Sequence, residues 1–247
     1  MIDRRVRLRP KNAAQSYVYG FKGQNGAEQP SILSMLRVTN GLVWNYTPTI
    51  TEQRTVNYDM EQPVHTNSGY NSYKNTSNTV FNVSGDFYAS TPMEAMYNLA
   101  CLHFIRSSSL MDFGRIAAES NNPEFAIVGA PPPILLLSAY GKYMYNDIPV
   151  IIKNYNFSFE NDIDYIQVPL DASIDGYDYS DSATRAYFEN IRNFGGVAPN
   201  PENAVFFPQK ITVSLQLEEQ PTPNYMSTKF NLNAFKRGEL LRKGGFI

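Results

Sequence analysis

One cysteine and two histidines limit the chemistry open to this chain. Cys101 and His103 lie two residues apart in a stretch with helical spacing. A thiolate–imidazole pair needs its side chains to meet, and positions two apart on a helix do not face each other. A buried, inert thiol is the ordinary role of such a cysteine. A lone cysteine excludes an intrachain disulfide and a cysteine zinc site, and His65 with His103 is too few for a multi-histidine metal centre. The carboxylates are more numerous. Asn161-Asp162-Ile163-Asp164 and the stretch from Asp175 through Asp178 to Asp181 could present clustered oxygens to Ca²⁺. They lack the spacing and the closing Glu of a calcium-binding loop, so solvated or intersubunit acids are the expected reading. A glycosidase needs two placed carboxylates. Glu94 could be one, but a helix-capping role already accounts for it. Phosphate loops, nucleophile elbows and zinc signatures are missing from the sequence. The expectation is a protein without catalytic residues, metal or cofactor, not an enzyme.

Charge is the feature with a pattern. The 247 residues carry 21 Lys+Arg against 23 Asp+Glu, a net charge of -2, which argues against a globally basic nucleic-acid binder. Yet Arg4, Arg5, Arg7, Arg9 and Lys11 crowd the beginning, and Lys229, Lys236, Arg237, Arg242 and Lys243 the end. Between them, residues 160–189 are strongly acidic, with Glu160, Asp162, Asp164, Asp171, Asp175, Asp178, Asp181 and Glu189 facing only Arg185. Solvated surface is the bland account. The alternative is that the basic ends grip acids on a neighbouring copy, because opposite potentials fix register between subunits. The candidate intersubunit contacts are therefore Arg4, Arg5, Arg7, Arg9, Lys236, Arg237, Arg242 and Lys243 on one side, and Asp162, Asp164, Asp175, Asp178 and Asp181 on the other. In residues 4–9, Val6 and Leu8 alternate with arginines, so an extended arm would present an apolar side and an arginine side to a neighbour's sheet edge.

These residues must be positioned by a β-rich scaffold. With 17 Tyr, 15 Phe and 16 Pro in a 43% hydrophobic chain, strands and ordered loops are favoured over a helical bundle. Residues 1–30 read as an irregular N-terminal arm, 31–235 as a single β-rich domain, and 236–247 as a basic C-terminal tail. Within the domain, Asn40-Gly41 predicts a hairpin turn between short strands in 31–46. Residues 47–59 read as one strand, and the Asn/Ser/Tyr tract 62–78 as a linker. Phe81, Val83 and Phe87 alternate with polar residues and predict a half-buried strand over 79–88. Thr91-Pro92-Met93-Glu94 is a capping box with Pro at the first helical position, and predicts a helix over 91–113. Its apolar face, Met93, Met96, Tyr97, Ala100 and Phe104, is expected to pack on a sheet face holding Phe157 and Phe159. Residues 134–145 and 148–159 predict a long hairpin turning at Asn146-Asp147. Residues 164–168 read as a short strand that extends or pairs with it. Residues 170–203 read as an insertion with a short helix around 183–190, and 205–217 as a strand with Ile211, Val213, Leu215 and Leu217 inward. Phe230, Leu232 and Phe235 form a docking segment. The longest strongly apolar run is 134–137, so neither a membrane span nor a signal peptide is expected.

Several of these runs carry a resemblance. Gly129-Ala130-Pro131-Pro132-Pro133-Ile134-Leu135-Leu136-Leu137-Ser138-Ala139-Tyr140-Gly141, then 148–152, 157–166, Lys210-Ile211-Thr212-Val213-Ser214-Leu215-Gln216-Leu217 and Phe230-Asn231-Leu232-Asn233-Ala234-Phe235-Lys236-Arg237-Gly238 together resemble tail-tube-fold proteins of contractile-tailed bacteriophages. The likeness is nearest to the tube initiator or hub-cap proteins of the baseplate, over roughly residues 75–247. It implies a mainly β, antiparallel sandwich or barrel of the tail-tube type, with one flanking helix, extended arms and long loops. It further implies a virion protein made in the host cytoplasm, forming a ring of six copies that contacts neighbouring tube, hub and baseplate proteins. Its lumen would pass the genome, with non-specific contact to DNA or peptide cargo. A carbohydrate- or receptor-binding β-module, a neck or tail-terminator protein of the same fold, and a cell-wall hydrolase of the hub are the competing readings.

Overall fold

The computed structural model describes residues 4–11, 32–111, 131–168 and 205–246. The expected insertion over 170–203 with its helix, the helix end at Phe113, and the acids Asp175, Asp178 and Asp181 lie outside the described residues. Strands come in the order β1 (Arg7–Pro10), β2 (Leu42–Val43), β3 (Thr49–Gln53), β4 (Val56–Glu61), β5 (Tyr70–Thr76) and β6 (Val80–Tyr88). After the main helix come β7 (Leu135–Ala139), β8 (Tyr145–Phe159), β9 (Tyr165–Val168), β10 (Val205–Pro208) and β11 (Lys210–Glu219). The protein is mainly β. Its frame is an antiparallel seven-stranded sheet in the order β2-β1-β7-β8-β11-β6-β3, and β9–β10 and β4–β5 form two further two-stranded ribbons.

Period-two patterning builds this sheet. On β11, Ile211, Val213, Leu215 and Leu217 are at most 2% exposed, and on β6 Phe81, Val83 and Phe87 at most 1%. Their alternates, among them Thr212, Ser214, Asn82 and Ser84, form the opposite face, where the Ser84 and Ser214 hydroxyls meet at 2.9 Å. Strand alternation thus divides one sheet into a core face and a polar face.

A short 3₁₀ turn (Ile32–Met35) runs into α1 (Leu36–Thr39), and α2 (Pro92–Ser108) covers the core face. The capping box forms as expected. The Glu94 N–H donates to Thr91 Oγ1, and Glu94 Oε2 accepts from the Thr91 N–H. Tyr97 ties α2 to β2 by accepting from the Val43 N–H at 2.9 Å and donating to the Val43 carbonyl at 3.1 Å. Phe104 is fully buried, while Met93 is exposed and Met96 and Tyr97 are half-buried, so the buried stripe runs through Ala95, Ala100, Cys101, Phe104 and Ile105. Of the two expected partners, Phe157 packs against the core that holds Ala100 and Phe104, and Phe159 does not. Phe157 is half-buried with the Arg106 guanidinium 5.4 Å from its ring centre, whereas Phe159 is 54% exposed. β8 outruns β7, which pairs with it only between Tyr145 and Val150; towards Phe159 its ladder partner is β11.

Several sequence expectations are corrected. The Asn40-Gly41 pair does not turn a hairpin; Asn40, with φ 52°, ends α1 in the left-handed region. Gly41 has φ +119°, and a Cβ there would lie 2.5 Å from the Leu8 carbonyl oxygen, so the glycine lets β1 pass close by. Residues 47–59 are two strands, β3 and β4, that part at Arg54. The β7–β8 turn falls at residues 140–144, not at Asn146-Asp147. Asp147 sits inside β8 with φ 53° beside an irregularity in the ladder. Residues 205–217 break at Gln209, where β10 leaves to pair with β9, so residues 165–168 do not extend β8.

The two ends are corrected most. β1 is an interior strand between β2 and β7, with Val6 2% and Leu8 0% exposed. It completes the chain's own sheet and is no arm for a neighbour. After β11 come three short helices, α3 (Pro223–Lys229), α4 (Leu232–Lys236) and α5 (Glu239–Lys243), the last of them inside the expected tail 236–247. Leu240 and Phe246 are buried, Phe246 stacks on Tyr225 at 4.7 Å, and Asn146 Nδ2 donates to the carbonyls of Leu241 and Arg242.

Candidate functional site

The candidate contacts sort by where the frame places them. Arg7 and Arg9 project from β1 on the side away from Val6 and Leu8. Arg9 Nη2 lies 2.8 Å from Asp147 Oδ2, and the Ser138 hydroxyl donates to Asp147 Oδ1 at 2.7 Å. Burial raises the pKa of Asp147, but the Arg9 and Ser138 hydrogen bonds and the Arg7 charge outweigh it, leaving the carboxyl below its ordinary range. Arg9 thus serves an intrasubunit ion pair with Asp147, and Arg7 adds its charge to the same carboxylate. Arg4 and Arg5 are exposed, and the Arg4 carbonyl accepts from the Tyr140 N–H at 3.2 Å.

Lys236, Arg237, Arg242 and Lys243 are exposed around α4 and α5, where Arg237 pairs with Glu239 at 2.9 Å. Asp162 and Asp164 are exposed in the turn after β8. The two sets lie at opposite ends of this 15-residue strand: Asn146, near its start, holds α5, and the acids follow its last residue, Phe159. They are therefore not brought together within one chain.

The acidic end also holds Glu160 and Asp86, both engaged by Lys210. The Thr212 hydroxyl, 2.6 Å from Asp86 Oδ1, is the main reason that the Asp86 carboxyl titrates below its usual range. Exposed aromatic rings surround these charges: Phe159, Tyr165 at 70% and Phe206 at 61%, with Tyr46 edge-on to Tyr88 at 5.3 Å. Tyr46 and Tyr88 line an open groove of about 640 Å³ with Thr47, Thr49, Ser84 and Asp86.

The opposite end has a surface that the sequence reading missed. β4 and β5 form a hairpin whose described residues are exposed on both faces, save the half-exposed Ser72. Val56, Tyr58 and Met60 share one face, and Tyr58 meets Tyr73 edge-on at 6.1 Å. The tract 62–78 reads as a linker because Asn and Ser dilute its pattern. The usable signal was Tyr58-x-Met60 alternation followed by Ser68-Gly69, a turn pair, and Tyr70. At the hairpin's root, Arg54 Nη2 lies 2.6 Å from Glu219 Oε2, whose side chain is 3% exposed.

The helix residues hold no nucleophile. Cys101 is buried, and burial pushes its thiol well above the ordinary range, so it stays protonated. Burial, and then the nearby Arg106 charge, lower the pKa of His103. Among the described residues, three or more metal-ligating side chains nowhere gather, and no helix is long and apolar enough to cross a membrane. No protein-family model matches this chain, and no curated protein matches it.

Proposed function

We propose that this protein is a structural subunit that assembles into a ring at the baseplate end of a bacteriophage tail tube, initiating the tube or joining it to the hub. The observation that carries the reading is the distribution of exposed aromatics and charge over one antiparallel sheet flanked by one long helix. Lys142, Lys236, Arg242 and Lys243 with Tyr143, Met144 and Leu232 occupy the end of the molecule where β8 starts. Asp162 and Asp164 with Phe159, Tyr165 and Phe206 occupy the other. Rings of exposed aromatics with opposite charge suit contact with further protein on two sides. The sequence resemblance over residues 75–247 supplies the tail context and the number six. The role is mechanical: subunits enclose a passage, and the passage conducts the genome.

The test is to raise antibodies to the purified protein, label isolated phage tails, and image them. Label confined to the baseplate-proximal end of the tube, with one ring of about six copies as the resemblance implies, is the expected result. Label absent from tails sinks the reading. A glycan-binding module is the second reading, favoured by the open groove between Tyr46 and Tyr88. Retention of the protein on a host-surface polysaccharide column, abolished by Tyr46→Ala, would select it instead.

A further inference from the structure

We propose that the groove at Tyr46 and Tyr88 is one half of a two-hollow trough that binds a linear chain of neutral pyranose sugars, with sugar rings on both sides of the tyrosine pair. This deepens the second reading, glycan binding, and rests on it; it is independent of ring assembly.

The trough is built where the chain crosses the sheet. Residues 44–48 leave β2, at one edge, and reach β3, at the other. Trp44 is 1% exposed and Pro48 is buried, whereas Asn45, Tyr46 and Thr47 between them are exposed. The Trp44 N–H donates to the Val6 carbonyl at 3.0 Å. A Cβ on Gly85 would lie 2.7 Å from Pro48 Cβ and 3.0 Å from Trp44 Cδ1, so this glycine lets the crossing lie directly on β6. Two buried anchors thus hold Tyr46 beside Tyr88 before any ligand arrives, which lowers the entropic cost of binding.

Tyr46 and Tyr88 wall two hollows: the groove of about 640 Å³ and a second of about 520 Å³ that Asn45, Ser90 and Glu94 also line. Both are the size of ordinary small-molecule clefts. In an edge-on pair one ring keeps both of its faces clear of the other, so aromatic surface stays open to a ligand. Polar groups stand beside it. The Thr212 hydroxyl at 2.6 Å and the Tyr88 hydroxyl at 3.1 Å orient the two oxygens of Asp86, which still have lone pairs for further donors. Among the described residues, the Asn45, Thr47 and Thr49 side chains have no hydrogen-bond partner. A sugar ring has the same division, an apolar C–H face and a rim of hydroxyls that donate and accept. An apolar peptide would cover Asp86 and the threonine hydroxyls without pairing them, which costs free energy. Arg5 and Glu94 give the second hollow one charge of each sign, while Asp86 makes the first negative, against a phosphodiester or uronate chain.

The test applies the purified full-length chain to an array of neutral and uronate-containing oligosaccharides, one to eight residues long, and titrates the strongest hit by calorimetry. Neutral chains should bind, with affinity rising from one residue to three as the second hollow fills and then levelling off. Tyr46→Ala should weaken that affinity by about tenfold or more, as removal of an aromatic anchor does. Thr49→Val should weaken it less, and both variants should keep the wild-type circular dichroism spectrum. An array without hits overturns this proposal and the glycan reading together. Binding that Tyr46→Ala leaves intact, or equal affinity for one residue and three, overturns the trough alone and leaves glycan binding elsewhere on the surface. A preference for uronate-containing chains overturns the ligand class.

Discussion

Asp147 shows how a single residue turns charge into sheet geometry. Its left-handed backbone sits within β8, where two hydrogen bonds with the Ser138 hydroxyl and the ion pair to Arg9 offset the strain. The folded-state pKa lies below the value near 3.9 expected in the unfolded chain, so ionisation favours the fold. That stability is present above about pH 4 and is lost as pH falls through the folded value. Asp86 has the same sign, through Thr212 first. Urea midpoints measured from neutral to acid pH should therefore fall below about pH 4, and Asp147→Asn should be weaker at neutral pH with a shallower acid fall. An unchanged acid limb in that variant would refute the linkage. Phe104 makes the apolar counterpart. It is fully buried on the core side of α2, so Phe104→Ala should cost about 3–5 kcal/mol in chemical denaturation. Its burial was legible from helical spacing, whereas the left-handed Asp147 was not, because an Asn-Asp pair reads locally as a turn until a distant Arg9 holds it in a strand.

At the scale of elements, local pattern and tertiary context part company most clearly at β1 and at the hairpin root. Val6 and Leu8 alternating with arginines gave the strand and its two faces correctly, but the identity of its partner is not a local property. β1 pairs with β2 and β7 across long stretches of chain, so a strand that looked donated is domestic. Deleting residues 1–10 should therefore give an unfolded or aggregated product, seen as loss of the β-sheet circular dichroism signal, and not a folded subunit defective only in assembly. The Arg54–Glu219 pair makes an asymmetric prediction. Arg54→Met strands a carboxylate that is 3% exposed, while Glu219→Gln leaves a guanidinium 37% exposed that water can still serve. Removing one partner of a fully buried pair costs about 3–5 kcal/mol, so Arg54→Met should approach that range and Glu219→Gln should fall well below it. Equal losses in urea unfolding would show that burial at the root is symmetric. Both variants should also raise hydrogen exchange at residues 56–76, since the ribbon has few other ties to the frame.

For the whole molecule, the proposed ring reading assigns different contacts to the two ends of β8. Lys142, Lys236, Arg242 and Lys243 stand where β8 starts, and Asp162, Asp164 and the aromatics around Phe159 stand where it ends. Those acids lie roughly 40 Å away along the strand, from the rise per residue of extended chain. That distance is several Debye lengths at physiological salt, so the two ends do not screen or reinforce each other. Charge changes at one end should then act on one kind of contact only. Asp162→Asn with Asp164→Asn should leave ring size unchanged by light scattering, yet reduce the amount of protein incorporated into purified tails. Lys142→Glu with Lys236→Glu should instead dissociate the rings themselves, and raised salt should weaken the wild-type rings in the same direction. If the acidic-end variant also breaks rings, lateral and axial contacts share a surface, and the separation of roles along β8 is wrong.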